Sequence, residues 1–107
     1  MEGKKLKGWS LFDQRGKFFH VETETALSQT AVMTLKPGED GGEEPDGHPG
    51  DQVLFVAEGE VLIMTAHEEM RAKAGSVVVI PPRTRHRVRN TGSTPALLLN
   101  VYTPPAY

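Results

Sequence analysis

One histidine in the second half of the chain falls where its neighbours predict a buried side chain. Arginines occupy alternate positions around it, and His86 lies among Arg83, Arg85, Arg87 and Arg89. Successive side chains of a β-strand point to opposite faces, so a strand that turns its arginines to solvent turns His86 to the interior. The alternative to a solvated face is a basic rim that meets an acidic partner or substrate.

A second set of polar residues precedes an apolar stretch and has the same alternate spacing. Asp46 and His48 are two positions apart, and the same parity leads to Gln52 and then to apolar residues of core type. We therefore expect Asp46, His48, Gln52 and His86 to face one cavity. A bulge between residues 48 and 52 would break this register.

Two imidazoles, a carboxylate and an amide oxygen are ligands that a divalent transition metal accepts. Two His and one Asp match in composition the two-histidine, one-carboxylate set that holds non-haem Fe(II), and the same donors suit Mn, Ni or Zn. Composition does not choose the metal. The alternative is a metal-free cavity in which these residues hydrogen-bond to one another and to trapped water.

Short β-strands must position these residues. The apolar pattern has a period near two, broken by Gly, Pro and charged residues, and it predicts an all-β sandwich or barrel. The acidic segment that begins with Lys36 and runs through Gly42 is predicted as a long loop, and the tail that carries Tyr102 and Tyr107 could cross to a neighbouring subunit. The predicted strands are Lys17–Thr23, Ser28–Lys36, Gln52–Ala57, Glu60–Ala66, Glu69–Ala74, Ser76–Ile80, His86–Asn90 and Ala96–Tyr102.

One stretch of the sequence resembles the second motif of the cupin family, G-x5-P-x-G-x2-H-x3-N. Gly75, Pro81, His86 and Asn90 occupy its positions, and Arg83 replaces its middle glycine.

An earlier stretch is similar to the first cupin motif, G-x5-H-x-H-x3,4-E-x6-G. The second histidine of that motif falls on His48 and its closing glycine on Gly59. Asp46 stands in place of its first histidine and Gln52 in place of its glutamate. An opening Pro37-Gly38 is also typical of cupins, although its spacing to the ligand positions is two residues longer here.

The resemblance implies one cupin domain over residues 1–107, with motif regions at 37–60 and 75–90. The implied fold is a double-stranded β-helix, or jelly-roll barrel, whose motif positions converge on one metal ion in the barrel mouth. His48 and His86 keep the imidazoles of the pattern, whereas Asp46 and Gln52 are substituted positions. A neutral amide at Gln52 binds a cation less strongly than the expected carboxylate.

The composition narrows the other classes of function. The absence of cysteine excludes disulfides, thiolate metal sites and cysteine nucleophiles. A net charge of -2 supplies no field for nucleic acid or an anionic membrane, and we expect neither as a partner. The chain carries no apolar run of membrane-spanning length, and we predict a cytoplasmic protein. A chain of 107 residues leaves apolar surface uncovered, which favours a homodimer.

Two functional hypotheses remain open at this stage, and the sequence does not decide whether the protein is an enzyme. In the first, one divalent metal acts on a small polar or anionic organic molecule, and the resemblance implies oxygenase or isomerase chemistry. Glu44 and Glu58 are acid or base candidates by proximity alone. In the second, the barrel is a non-enzymatic module that binds or senses a small ligand.

Overall fold

The computed structural model describes residues 4–107, without the side chain of Glu43. These residues form a short 3-10 turn, Phe12–Gln14, followed by strands. The strands are β1 (Phe19–Glu24), β2 (Gln29–Leu35), β3 (Asp40–Glu44), β4 (Asp51–Glu58), β5 (Glu60–Thr65), β6 (Glu69–Lys73), β7 (Val77–Ile80), β8 (His86–Asn90) and β9 (Ala96–Thr103). Within the described range, no helix is long and apolar enough to cross a bilayer.

The strands form two antiparallel sheets. The larger has the order β1-β2-β9-β4-β7 and the smaller has the order β3-β8-β5-β6. Sequence neighbours such as β4 and β5 lie in different sheets, so the chain passes repeatedly from one sheet to the other. The all-β prediction is confirmed, and each of the eight predicted strands corresponds to an observed strand with similar bounds.

The ninth strand, β3, corrects the prediction of a long loop after Lys36. Its sequence, DGGEE, has neither apolar alternation nor strand propensity. The strand forms because β8 supplies its hydrogen-bonding partner, and because Arg89 donates two hydrogen bonds to the carboxylate of Asp40, at 2.6 and 3.1 Å. Tertiary pairing therefore overrides local preference here.

Inward residues of the two sheets build the core and leave one end of it polar. Along β4, the buried positions are Gln52, Leu54 and Val56, and along β8 they start with His86 and continue with Val88. Each strand therefore begins with a polar inward residue and continues into the hydrophobic core. The core comprises Met33, Leu35, Leu54, Val56, Val61, Ile63, Ala72, Ile80, Val88, Ala96 and Leu98.

The alternation predicted around His86 is confirmed. His86 is 3% exposed, whereas Arg83 and Arg85 are exposed and Arg87 and Arg89 are partly exposed. The arginines therefore lie on the wet face, and the imidazole lies inside.

Candidate metal and ligand site

His48 lies in the loop before β4, and that loop is fixed against the loop before β8. The backbone N–H of Arg83 donates to the carbonyl oxygen of His48 at 2.7 Å. Gly47 adopts a φ of +70°, and a Cβ at this position would lie 2.3 Å from the backbone nitrogen of Thr84. Only glycine fits this approach, so the two loops dock closely enough to hold His48 inside the barrel.

His86 opens β8 with its ring orientation set by the backbone. Its Nδ1 lies 2.7 Å from the carbonyl oxygen of Thr84, and because a carbonyl can only accept, Nδ1 carries the proton. In the neutral form of the ring, Nε2 is then the acceptor, and it is buried in the interior. Metal-binding histidines are commonly oriented by the same kind of hydrogen bond.

Gln52 contributes an oriented amide from the opposite sheet. Its Nε2 donates to Oδ1 of Asn100 at 3.0 Å, and Asn100 itself is completely buried. Gln52 pairs in register with Tyr102 on β9, whose ring centroid is 5.0 Å from that of His48. The strand partner of Gln52 is therefore in ring contact with His48.

Three buried atoms of these residues lack a hydrogen-bond partner. His48 and His86 have ring centroids 5.5 Å apart. Nε2 of His48, Nε2 of His86 and Oε1 of Gln52 have no hydrogen-bond partner among residues 4–107, the side chain of Glu43 aside. Buried polar atoms are normally paired, so we expect a ligand to bind these three atoms. Because they can donate electron pairs to a metal ion, we call them the donor cluster.

Asp46 does not lie on a strand. It occupies an exposed turn in which the N–H of Gly47 donates to the carbonyl oxygen of Glu44 at 3.2 Å. The strand parity that predicted an inward Asp46 therefore does not hold there, because a turn ends the alternation. The expectation of a buried Asp46 is corrected, while a metal-binding role for its carboxylate stays a prediction.

Glu44 lies beside the histidines, where the strand parity of the sequence predicted other residues. Gly41 pairs with Val88 and Glu44 with His86, so three steps on β3 match two on β8, which defines a β-bulge. The extra residue turns Glu44 to the same face as His86. A Gly-Gly pair is the sequence signal that could have suggested the bulge.

An aromatic group covers His48. The ring centroid of Tyr107 lies 5.4 Å from that of His48, 5.1 Å from that of Tyr102 and 4.8 Å from that of Phe19. Its hydroxyl donates to Oε1 of Glu44. We call Phe19, Tyr102 and Tyr107 the aromatic cap. Tyr107 thus packs on its own barrel in this structure.

The electrostatics of the site follow from burial. Burial lowers the pKa of the His48 imidazole, and this effect outweighs the opposite effect of the Glu44 charge. The nearby His86 lowers the pKa further. Burial raises the pKa of the phenols of Tyr102 and Tyr107, and Glu44 adds to the effect at Tyr107 by accepting its hydrogen bond. At neutral pH the site therefore presents a neutral His48 and protonated phenols.

Other motif residues have structural roles. Arg83 replaces the motif glycine and has a φ of 56°, a left-handed conformation rarely taken by residues with a Cβ. The Asn90 side chain donates to the carbonyl oxygens of Leu35 and Thr94 at 2.9 and 2.8 Å, which ties loops together at the end of β8. Glu58 pairs with Arg15 at 2.6 Å on an exposed surface.

The described residues bring no three His, Cys, Asp or Glu side chains close enough together to hold a metal ion.

Comparison with known proteins identifies the family. A family model described as "Cupin domain" matches residues 31–102. The crystal structure of BH2720 from Bacillus halodurans superposes with a TM-score of 0.81 at 31% identity, covering 89% of this chain and 76% of that chain. A second structure, from Klebsiella pneumoniae, is described as having a double-stranded β-helix domain. It superposes with a TM-score of 0.82 at 22% identity, covering 96% of this chain and 95% of that chain. The prediction of a double-stranded β-helix is therefore confirmed.

A curated relative is similar over most of the chain. The uncharacterized protein YrkC of Bacillus subtilis is 34% identical over 84 residues, which is 72% of this chain and 44% of that protein. The chain spans less than half the length of the curated relatives it matches. By its motifs, its strand order and the family match over residues 31–102, the chain belongs to the cupin family.

Proposed function

We propose that the protein binds one divalent transition metal (Fe, Mn, Ni or Zn) at His48, Gln52 and His86, and there binds a small polar or anionic organic molecule. The observation that carries the proposal is the donor cluster: two ring nitrogens able to accept in the neutral imidazole and one amide oxygen, all buried and all without a hydrogen-bond partner among the described residues. A cation satisfies three such acceptors at once, which a single donor group does not.

The chemistry of the residues fits a metal. Nε2 of His86 is free to bind because Nδ1 carries the proton, and His48 stays neutral because its pKa is lowered. Asn100 holds the amide of Gln52 and leaves Oε1 free. Two nitrogens and one oxygen suit the metals named above.

The charge of this set predicts the class of ligand. All three protein donors are neutral, so a bound divalent ion would keep its full charge in a site shielded from water. Three protein ligands also leave open coordination positions. The site therefore favours a molecule with a carboxylate, enolate or similar oxygen. When bound, the metal supplies Lewis-acid polarisation of such an oxygen.

The residues around the donor cluster would perform the remaining tasks. The aromatic cap excludes water, and Glu44 accepts a proton in a hydrogen bond beside His48. Glu44 is the carboxylate placed to exchange protons with a bound molecule, since it faces inward opposite His86.

A second candidate is a non-enzymatic barrel that captures a small ligand. The neutral amide of Gln52, which stands where the family pattern has glutamate, favours this reading because a weaker metal site suits binding better than turnover.

Elemental analysis of untreated protein, followed by titration of metal-free protein with Fe(II), Mn(II), Ni(II) and Zn(II), tests the proposal. We expect about one metal ion per chain and loss of binding in His86→Ala. The matched control is His67→Ala, which removes an exposed histidine. The proposal fails if no metal binds, or if both variants bind as the unaltered protein does. Oxygen uptake or isomerisation of added substrates then separates an enzyme from a binding module.

A further inference from the structure

The position of Tyr107 suggests which ligand the recess over His48 accepts. Tyr107 lies outside the region matched by the family model, residues 31–102. Its phenol ring is surrounded by the rings of Phe19, Tyr102 and His48, and its hydroxyl donates to Glu44. The recess therefore combines aromatic walls with a carboxylate acceptor, beside one ligand of the donor cluster.

The segment that carries Tyr107 is attached in a way that water can replace. The Gln29 side chain accepts hydrogen bonds from the N–H groups of Ala106 and Tyr107, at 3.2 and 3.0 Å, and donates to the carbonyl oxygen of Tyr107 at 2.6 Å. Water can take the place of each such bond when the segment leaves. Tyr107 is also 52% exposed, so its own side chain already lies partly in solvent.

We propose that this recess is a binding site for a phenol, occupied within the chain by Tyr107, and that a phenolic ligand binds there by displacing residues 104–107. The proposal deepens the proposed function by naming the ligand class, and it rests on that function for the role of the bound phenol. The ring of the ligand takes the place of the Tyr107 ring against the edges of Tyr102 and His48. Its hydroxyl donates to Glu44, which leaves it next to the donor cluster.

The geometry also explains why a phenol is preferred to a plain aromatic ring. Edge-to-face contacts bind any ring of this size. The carboxylate of Glu44 is different, because it loses the hydrogen bond from the Tyr107 hydroxyl when Tyr107 leaves. A ligand with a hydroxyl restores this charge-assisted hydrogen bond, whereas a plain ring does not.

Binding of p-cresol and of toluene to metal-free protein, measured by calorimetry or NMR in the presence of a chelator, tests the proposal. In Tyr107→Ala, which empties the recess, we expect p-cresol to bind at least about tenfold tighter than to the unaltered protein, and tighter than toluene. Tyr107→Phe keeps the ring, so it should bind p-cresol no more than a few times tighter than the unaltered protein. Glu44→Ala in the Tyr107→Ala background should abolish the preference for p-cresol, whereas Glu68→Ala, at an exposed turn, should keep it.

The proposal is overturned if Tyr107→Ala, with a thermal melt that shows a folded protein, binds neither compound or binds toluene as tightly as p-cresol. A Glu44→Ala change that leaves the preference intact overturns it as well. Because the assay contains no metal, its result is independent of the metal titration. A failure of the metal site and a failure of the phenol site are therefore distinguished.

Discussion

The imidazole rings of His48 and His86 lie 5.5 Å apart, although one belongs to the loop before β4 and the other to the start of β8. The contact depends on the backbone hydrogen bond from Arg83 to His48, which joins the two loops. Each ring turns a buried Nε2 without a hydrogen-bond partner to the interior, and this pair is the part of the site on which the proposed metal chemistry depends.

Gln52→Glu should tighten metal binding by about tenfold or more, because it adds a negative charge to a neutral donor set. Asn100 can meet the new carboxylate by presenting its Nδ2, which has no acceptor among the described atoms. The measurement is the dissociation constant for Mn(II) or Zn(II), with Gln52→Leu as the control that removes the donor. An unchanged affinity in Gln52→Glu would mean that residue 52 does not touch the metal.

The Asp40–Arg89 pair should make stability depend on pH. The hydrogen bonds from Arg89 hold the pKa of Asp40 below its usual range, so the pair stabilises the folded state above the unfolded pKa, about 3.9. That contribution is lost as the pH falls through the lower, folded value. We expect Asp40→Asn to unfold more easily than the unaltered protein at pH 7 and the difference to shrink as the pH falls below about 4. A difference that stays constant in urea unfolding over this range would contradict the prediction.

Arg83→Gly should stabilise the protein by up to about 1 kcal/mol, because glycine relieves the left-handed conformation at the expense of some unfolded-state entropy. Arg85→Gly, two positions along the same loop and without a positive φ, should instead destabilise it by about 0.5–1 kcal/mol. Urea unfolding of the two variants gives the comparison. Equal effects of the same sign would show that strain at residue 83 is not the cause.

Arg87→Ala should change the free energy of unfolding by less than about 0.5 kcal/mol and leave metal affinity unaltered. The guanidinium lies on the wet face, with 43% of its side chain exposed, and approaches Asp40 at 3.6 Å. Thermal and urea unfolding together with the metal titration check both parts. A loss above about 2 kcal/mol would mean that the β8 register is different.

Alternation along the strands made most of the fold predictable. The arginine spacing placed His86 inside, and the apolar parity after Gln52 placed that residue at the inner end of β4. Two features were not predictable. β3 depends on pairing with β8 rather than on its own residues, and the turn after Glu44 interrupts the parity that led from Asp46 to His48.

The aromatic cap also lay beyond what the sequence indicates, because no local pattern relates Tyr107 to a histidine earlier in the chain. Its place is set by the Gln29 side chain, a contact between distant segments. Several expectations from the sequence stay predictions. They are homodimer formation, a cytoplasmic location, a single domain over residues 1–107, the identity of the metal and the absence of nucleic-acid or membrane partners.

The bulge in β3 allows the residue opposite His86 to change without a substitution. β3 is an outer strand of its sheet and pairs with β8 alone, so one residue can be inserted or deleted between Gly41 and Glu44 while the other strands keep their places. Each such change in length rotates a different side chain toward His86. A change in the length of β3 alone would therefore exchange the group opposite this histidine.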